Sequence, residues 1–294
     1  ATPVSCRMGS WCDPALGLRR RTGEAIQGGM IQPDALLEPG DPPPFQVINA
    51  EGKAPALLLC DHASRAVPRC LGTLGLDEAT LMRHIGWDIG AAEVTRHLSR
   101  RFDAPAVLSG YSRLVIDCNR APGEKQSIPE VSDGVTVPGN RGLGPDERAR
   151  RQAACFDPYH RAVAGAIARF RDAGRVPAIL SIHSCTPVMN GFERPWHIGV
   201  LHDRDRRIAG PLMAALAARG DVCVGDNQPY TGRGQAGKTI HTHAHDVGLP
   251  HVMVEIRQDL IDTHAGAAAW AQILGDALAP ILADRALYRV ERFA

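Results

Sequence analysis

No apolar run in this 294-residue chain approaches the roughly 20 residues that a membrane-spanning helix needs. The N-terminus lacks the compact apolar segment of a secretory signal. Charge of one sign is also missing. Lys+Arg 33 against Asp+Glu 32 leaves a net +1, and the one local excess is the short cluster Arg19–Arg21. Neither nucleic acid nor a membrane surface is expected as a partner. The eight cysteines, at positions 6, 12, 60, 70, 118, 155, 185 and 223, form no CxxC pair, and several fall in apolar runs. Reduced, mostly buried thiols in a cytoplasmic protein are therefore expected. There is no HExxH and no internal repeat.

What is present is ordinary for a globule, at 44% hydrophobic and 22% charged residues. Residues 1–44, with RRR, GG and DPPP, show no sustained periodicity and are expected to be a disordered or loosely packed extension, with Met30 as an alternative start. From Phe45 the punctuation is regular. FQVINA, PALLLC, PAVLSG, RLVIDC, PAILSIHS, HIGVLHD, DVCVGDN and HVMVEIRQDL read as strands. Helical spacing covers Glu78 toward Phe102 with interruptions at Gly86 and Gly90, then Pro145–Asp172, Asp205–Arg219 and His264–Leu282. Strands alternating with helices predict a single α/β domain over 45–294, with a mainly parallel sheet covered by helices on both faces.

Three apolar runs end in ionisable residues: LLLCDH at His62, AILSIH at His183 and VMVE at Glu255. In a parallel sheet such ends share one edge, where ligands bind. Asp88, in GWDIGA, is the best-placed further carboxylate. Two histidines, a carboxylate and one more acid suit a catalytic zinc site with an open coordination position. The assignment is His62, Asp88 and His183 as ligands, with Glu255 as general base. The bland alternatives are structural histidines, a helix-capping Asp88 and a Glu255–Arg257 ion pair, since those two share a strand face.

Other motifs compete for attention. His241, His243 and His245 in HTHAH would share a face only if extended. They offer a second metal site, or one histidine, His243, beside the substrate; His197 and His202 read as structural. GRGQAGKT (232–239) matches the phosphate-loop pattern but lacks the apolar strand that should run into it. Cys185, two residues after His183, raises a Cys–His nucleophile. The long polar segment 119–144 reads as a substrate loop.

The segments LLLCDHASRAVP, HIGWDIGAAEV, SRLVIDCNR, SIHSCTP, DNQPY and GLPHVMVEIRQDL, taken together over 45–285, resemble the N-formylglutamate amidohydrolase family. The resemblance implies a phosphorylase/hydrolase-like α/β fold related to the zinc carboxypeptidases and cell-wall amidases. It implies one Zn2+ and hydrolysis of N-formyl-L-glutamate to formate and L-glutamate. Asp88 stands where those relatives tend to use glutamate. A substrate with two carboxylates calls for arginine forks, and Arg113, Arg120 and Arg257 are the candidates. Asn119 or Asn140 would orient the formyl group, and His243 would bind substrate or its oxyanion. The partner expected is thus a small-molecule N-acyl amino acid. The rival readings are another N-acyl amino acid or peptide-like amide as substrate, and a non-catalytic amino-acid-binding protein on the same fold. Oligomeric state stays open.

Overall fold

The computed structural model describes residues 36–233 and 238–293. Seven strands form one twisted sheet: β1 (Phe45–Ile48), β2 (Ala56–Cys60), β3 (Ala106–Ser109), β4 (Ala178–Cys185), β5 (Ile198–Leu201), β6 (Val224–Asp226) and β7 (His251–Arg257), in the order β1-β3-β2-β4-β7-β5-β6. The pairs β3–β2, β2–β4, β4–β7 and β5–β6 are parallel, while β1–β3 and β7–β5 are antiparallel. The helices are α1 (Ala91–Phe102), α2 (Pro145–Arg151), α3 (Asp157–Asp172), α4 (Ala209–Ala217) and α5 (His264–Ala283), with single turns between.

Alternation along the central strands sorts the core into two layers. Leu58, Leu180, Val252 and Val254 pack with Val94 and Leu98 of α1, Leu212 of α4, and Trp270 and Leu274 of α5. Leu57, Leu59, Ile179 and Met253 pack against Tyr159, Val163 and Phe170 of α3 on the other face. The central strands are therefore buried on both sides and read as continuous apolar runs. A third cluster, with Leu74, Leu114, Val115, Ile116 and Phe156, lies under the segment that follows β3.

Several expectations need correction. RLVIDC is a run of turns rather than a strand, because its apolar residues pack into this third cluster instead of joining the sheet. The stretch 78–102 is not one helix. Only Glu78–Leu81, capped by Asp77, and then α1 are helical. Gly90 caps α1 at φ +79°, where a Cβ would lie 2.1 Å from the Ile261 carbonyl oxygen, so a continuous helix is barred there. Helix 145–172 does run on, but through a π-turn at Gln152–Phe156. Residues 36–44, assigned to the loose extension 1–44, are anchored. Leu36 is buried, Asp41 accepts from the Arg69 amide at 3.1 Å, and Pro44 accepts from Gly110 at 2.9 Å. Residues 1–35, with Met30 and Arg19–Arg21, lie outside the described residues, as do 234–237 of the Gly-rich motif. α5 is long and apolar enough by length and composition to cross a membrane, contrary to the reading that no stretch approaches this. Its Trp270, Leu274 and Leu278 are core residues of the sheet's first layer.

Candidate metal centre and substrate cavity

The carboxyl ends of β2, β4 and β7 meet at one edge. Parallel register sets Glu255 directly beside His183. His62 follows β2, and its carbonyl accepts from the Asp88 amide at 2.9 Å, which ties the turn before α1 to the end of β2. The His62 and His183 rings lie 5.1 Å apart, edge to face. Their Nδ1 atoms both face one oxygen, Asp88 Oδ2, at 3.2 and 2.8 Å. All three side chains are buried.

The other ring nitrogens are held as firmly. His62 Nε2 lies 2.7 Å from Asp117 Oδ1, and His183 Nε2 lies 3.1 Å from Asp61 Oδ2. Tyr159 donates to the second Asp61 oxygen at 2.6 Å. The Arg113 guanidinium reaches Asp117 Oδ2 through Nε (3.2 Å) and NH2 (2.8 Å), and Asp88 Oδ1 through NH1 (3.4 Å). Sequence reasoning missed Asp61 and Asp117 as partners of the rings, although both stand in the segments singled out, DHAS and VIDCNR.

The donor chemistry fits a divalent cation. Two Nδ1 atoms and one carboxylate oxygen lie within 4.8 Å of one another. A carboxylate behind each imidazole fixes the tautomer that leaves Nδ1 free to ligate. Charge gives the same answer. Among the described residues Asp61, Asp88 and Asp117 are countered by Arg113 alone, so neutral histidines leave two negative charges in a buried cluster. Burial works against ionising His183, yet its bonds to Asp61 and Asp88 carry its pKa well above the imidazole norm. Burial and Arg113 oppose a charge on His62, but Asp117 and Asp88 still raise it. Burial would raise the Asp88 pKa, and the two rings hold it far below the usual range instead. The cluster therefore attracts positive charge at the point where the three donors meet.

Burial pushes the Glu255 carboxyl up to about 7, against the pull of His183 and with the repulsion of Asp88. The structure shows no Glu255–Arg257 pair. Arg257 bonds to Asp259 at 2.8 Å and to the Arg194 carbonyl at 3.1 Å.

A cavity of about 200 Å³ opens onto the cluster. It is lined by His62, Asp88, His183 and Glu255 together with Arg113, Asn119, Arg120, His84, Ser184, Tyr230 and others. Arg120 is exposed and its guanidinium makes no hydrogen bond or ion pair among the described residues. Asn119 Oδ1 accepts from the Thr239 amide at 3.2 Å, so its side-chain amide group is left to donate. Ser184 Oγ is buried without a partner among the described residues. Tyr230 receives a bond from Arg194 at 3.2 Å.

Three sequence candidates fall elsewhere. Arg257 and His243 do not line this cavity, and Asn140 is spent internally, bonding Leu114, Pro129 and Arg151. His243 stacks on His160 and bonds its Nδ1 at 2.8 Å, while His160 Nε2 lies 2.9 Å from the Cys118 carbonyl. A carbonyl only accepts, so His160 donates through Nε2 and accepts through Nδ1 from His243. Burial and His160 push His243 down to about 4, keeping it neutral. Cys185 carries no nucleophile signature, because burial pushes its thiol up to about 12. No strand runs into the Gly-rich motif, since β6 ends at Asp226.

Fold and site together define a class: an α/β protein with a buried His–Asp–His cluster and an adjoining buried glutamate at the carboxyl edge of its sheet. The family model for N-formylglutamate amidohydrolase matches residues 54–262. The chain belongs to the N-formylglutamate amidohydrolase family. Among solved structures, a gene product from Agrobacterium tumefaciens is 39% identical, with a TM-score of 0.79 over 84% of this chain and 99% of its own. The N-formylglutamate amidohydrolase from Ralstonia eutropha JMP134 is 20% identical, with a TM-score of 0.65 over 81% of this chain and 97% of its own, and shares the fold. No curated protein gives a significant match.

Proposed function

We propose that this chain is a zinc-dependent hydrolase of N-formyl-L-glutamate, releasing formate and L-glutamate. The observation that carries the reading is the pair of Nδ1 atoms converging on Asp88 Oδ2 with Glu255 alongside, inside a cavity that also holds Arg120. His62, Asp88 and His183 would hold one Zn2+, whose Lewis acidity supplies an acidified water and a polarised formyl carbonyl. Glu255 then takes the proton of the attacking water on a carboxylate oxygen and returns it to the departing amine nitrogen. Its elevated pKa suits both halves of that transfer. Asp61 and Asp117 keep the two rings in position.

Arg120 offers an unoccupied fork for a substrate carboxylate. Arg113 is already held by Asp117 and Asp88, so it serves as a brace for the cluster rather than as a free receptor. The Asn119 side-chain amide can donate to the second carboxylate or to the formyl oxygen. His243 acts at one remove, through His160 and the Cys118 carbonyl that precedes Asn119.

Release of the free amino acid by zinc-loaded protein, assayed over N-formyl, N-acetyl and N-succinyl derivatives of glutamate, aspartate and leucine, tests the substrate. Turnover should be highest for N-formyl-L-glutamate. Faster release of a bulkier acyl group would transfer the assignment to a different N-acyl amino acid, and no turnover of any would favour a non-catalytic binding protein.

A further inference from the structure

We propose that His241, His245 and Asp246 form a second transition-metal site, separate from the His62–Asp88–His183 cluster. The segment His241–His245 is a π-turn, closed by the Asp246 amide on the His241 carbonyl at 3.0 Å. The turn carries the residues four and five positions after His241 to the same side. His241 Nδ1 and His245 Nδ1 lie 2.9 and 3.4 Å from a single oxygen, Asp246 Oδ1. The two rings stand 4.9 Å apart, edge to face. The donor set thus repeats that of the first cluster, two Nδ1 atoms and one aspartate oxygen, within six consecutive residues.

A second observation separates these contacts from an ordinary ion pair. His241 Nδ1 is buried and has no hydrogen-bond partner of acceptable geometry among the described residues, although Asp246 Oδ1 is near. Donors that face a shared point rather than each other have this arrangement. Glu93, His97 and His264 are also close together, and His97 Nε2 is likewise buried without a hydrogen-bond partner among the described residues, but His264 is exposed and Arg100 takes the other His97 nitrogen at 3.1 Å. Around Asp246, His245 Nδ1 makes only a long 3.4 Å contact with Oδ1.

The ligand class follows from the neighbours. Lys238 and Arg120 line the adjoining cavity of about 140 Å³ with His241 and Asp246, and Glu124 is the one added acid. The two basic side chains repel any dication, but two imidazole nitrogens favour Zn2+, Co2+ or Ni2+ over a hard cation that prefers oxygen donors. The site is partly open, with Asp246 half exposed, which leaves positions for water. Its occupation would stiffen the turn that follows Lys238 and Thr239, whose amides bond the Asn119 carbonyl and side chain at the substrate cavity.

Equilibrium dialysis of the full chain against Zn2+ and Co2+, with metal counted per chain, tests this. Wild type should bind two equivalents, H241N/H245N one, and H62N/H183N one that is lost when the H241N/H245N changes are added. No equivalent bound by H62N/H183N, or an equivalent in H62N/H183N that survives the added H241N/H245N changes, overturns the proposal. Loss of the His62 cluster's metal alone would count against the function proposed above and leave this site standing. Should H241N/H245N misfold by circular dichroism, Asp246→Asn, at an exposed position, replaces it with the same expected stoichiometry.

Discussion

Glu255 stands where two demands meet. It must be ionised to accept a proton from water, yet its burial among carboxylates favours the neutral form. Glu255→Gln keeps the shape and removes the base. The variant should retain its zinc and lose about 10²–10⁴-fold in kcat, and near-wild-type turnover would remove Glu255 from the mechanism. In wild type, activity should fall as pH drops through the Glu255 pKa, because protonation removes the base. Burial sets that pKa near 7 in the metal-free site, and a cation beside it pulls the acid limb lower. Arg120 makes a different prediction. Its fork is unpaired among the described residues, so Arg120→Ala should raise KM for N-formyl-L-glutamate about 10–100-fold, matching a charged hydrogen-bond pair worth roughly 1.5–3 kcal/mol, with kcat changed far less. An unchanged KM would place the substrate carboxylates elsewhere in the cavity.

At the scale of elements, β5 shows how narrowly the cavity wall is built. Gly199 pairs with Glu255 across the antiparallel β7–β5 edge, and a Cβ there would lie 1.8 Å from the Gln228 carbonyl oxygen. That backbone leads directly to Tyr230 on the cavity wall. Gly199→Ala should therefore cost about 2 kcal/mol or more through forced displacement, lowering the melting temperature by roughly 4–8 °C, and should impair turnover as well. Gly165→Ala is the contrast. It lies exposed in α3 with nothing near its Cβ, so it should gain about 0.5–1 kcal/mol. Equal melting shifts in the two variants would refute the packing argument. Elements of this kind differ in how far a sequence discloses them. β2, β4 and β7 were legible because strands buried on both faces must be continuously apolar. The polar residues that end them could therefore be assigned to one edge, and His62, His183 and Glu255 meet there. RLVIDC was misread for the same reason, since its continuous apolar run Leu114–Ile116 joins a loop cluster as well as it would a sheet. Arg257 and His243 could not be placed from spacing. Period-2 alternation assigns Arg257 to the Glu255 face, but a long side chain reaches past it to Asp259. The π-turn that aims His243 at His160 has no periodicity to announce it.

For the whole molecule, the buried cluster couples stability, pH and metal. In the metal-free protein, His183 and His62 have raised pKa values, so their contribution is complete below the unfolded value of 6.5 and is lost as pH rises through the folded values. Glu255 acts in the same direction. Its carboxyl is raised from 4.5 to about 7, so stability drains between those values as pH rises. Asp61, Asp88 and Asp117 act oppositely, because lowered pKa values give stability above the unfolded value of 3.8 that is lost on acidification. The metal-free chain should therefore be most stable between the Asp value of 3.8 and the Glu value of 4.5, lose stability as Glu255 and then the histidines give up protons, and melt at a lower temperature at pH 8. Zinc reverses the alkaline side. Ligation requires neutral imidazoles, so affinity grows as pH rises, and ligand binding adds about RT ln(1 + [L]/Kd), or roughly 4 kcal/mol at a thousandfold excess over Kd. Melting curves at pH 6 and pH 8, with EDTA or with zinc, should show the zinc-induced gain to be larger at pH 8. The His62→Asn, His183→Asn double variant should lose most of that gain, keeping only what the His241 site contributes. A zinc gain that is independent of pH would mean that the imidazoles are not the groups exchanging protons for metal, and the charge balance of Asp61, Asp88, Asp117 and Arg113 would then need another cation.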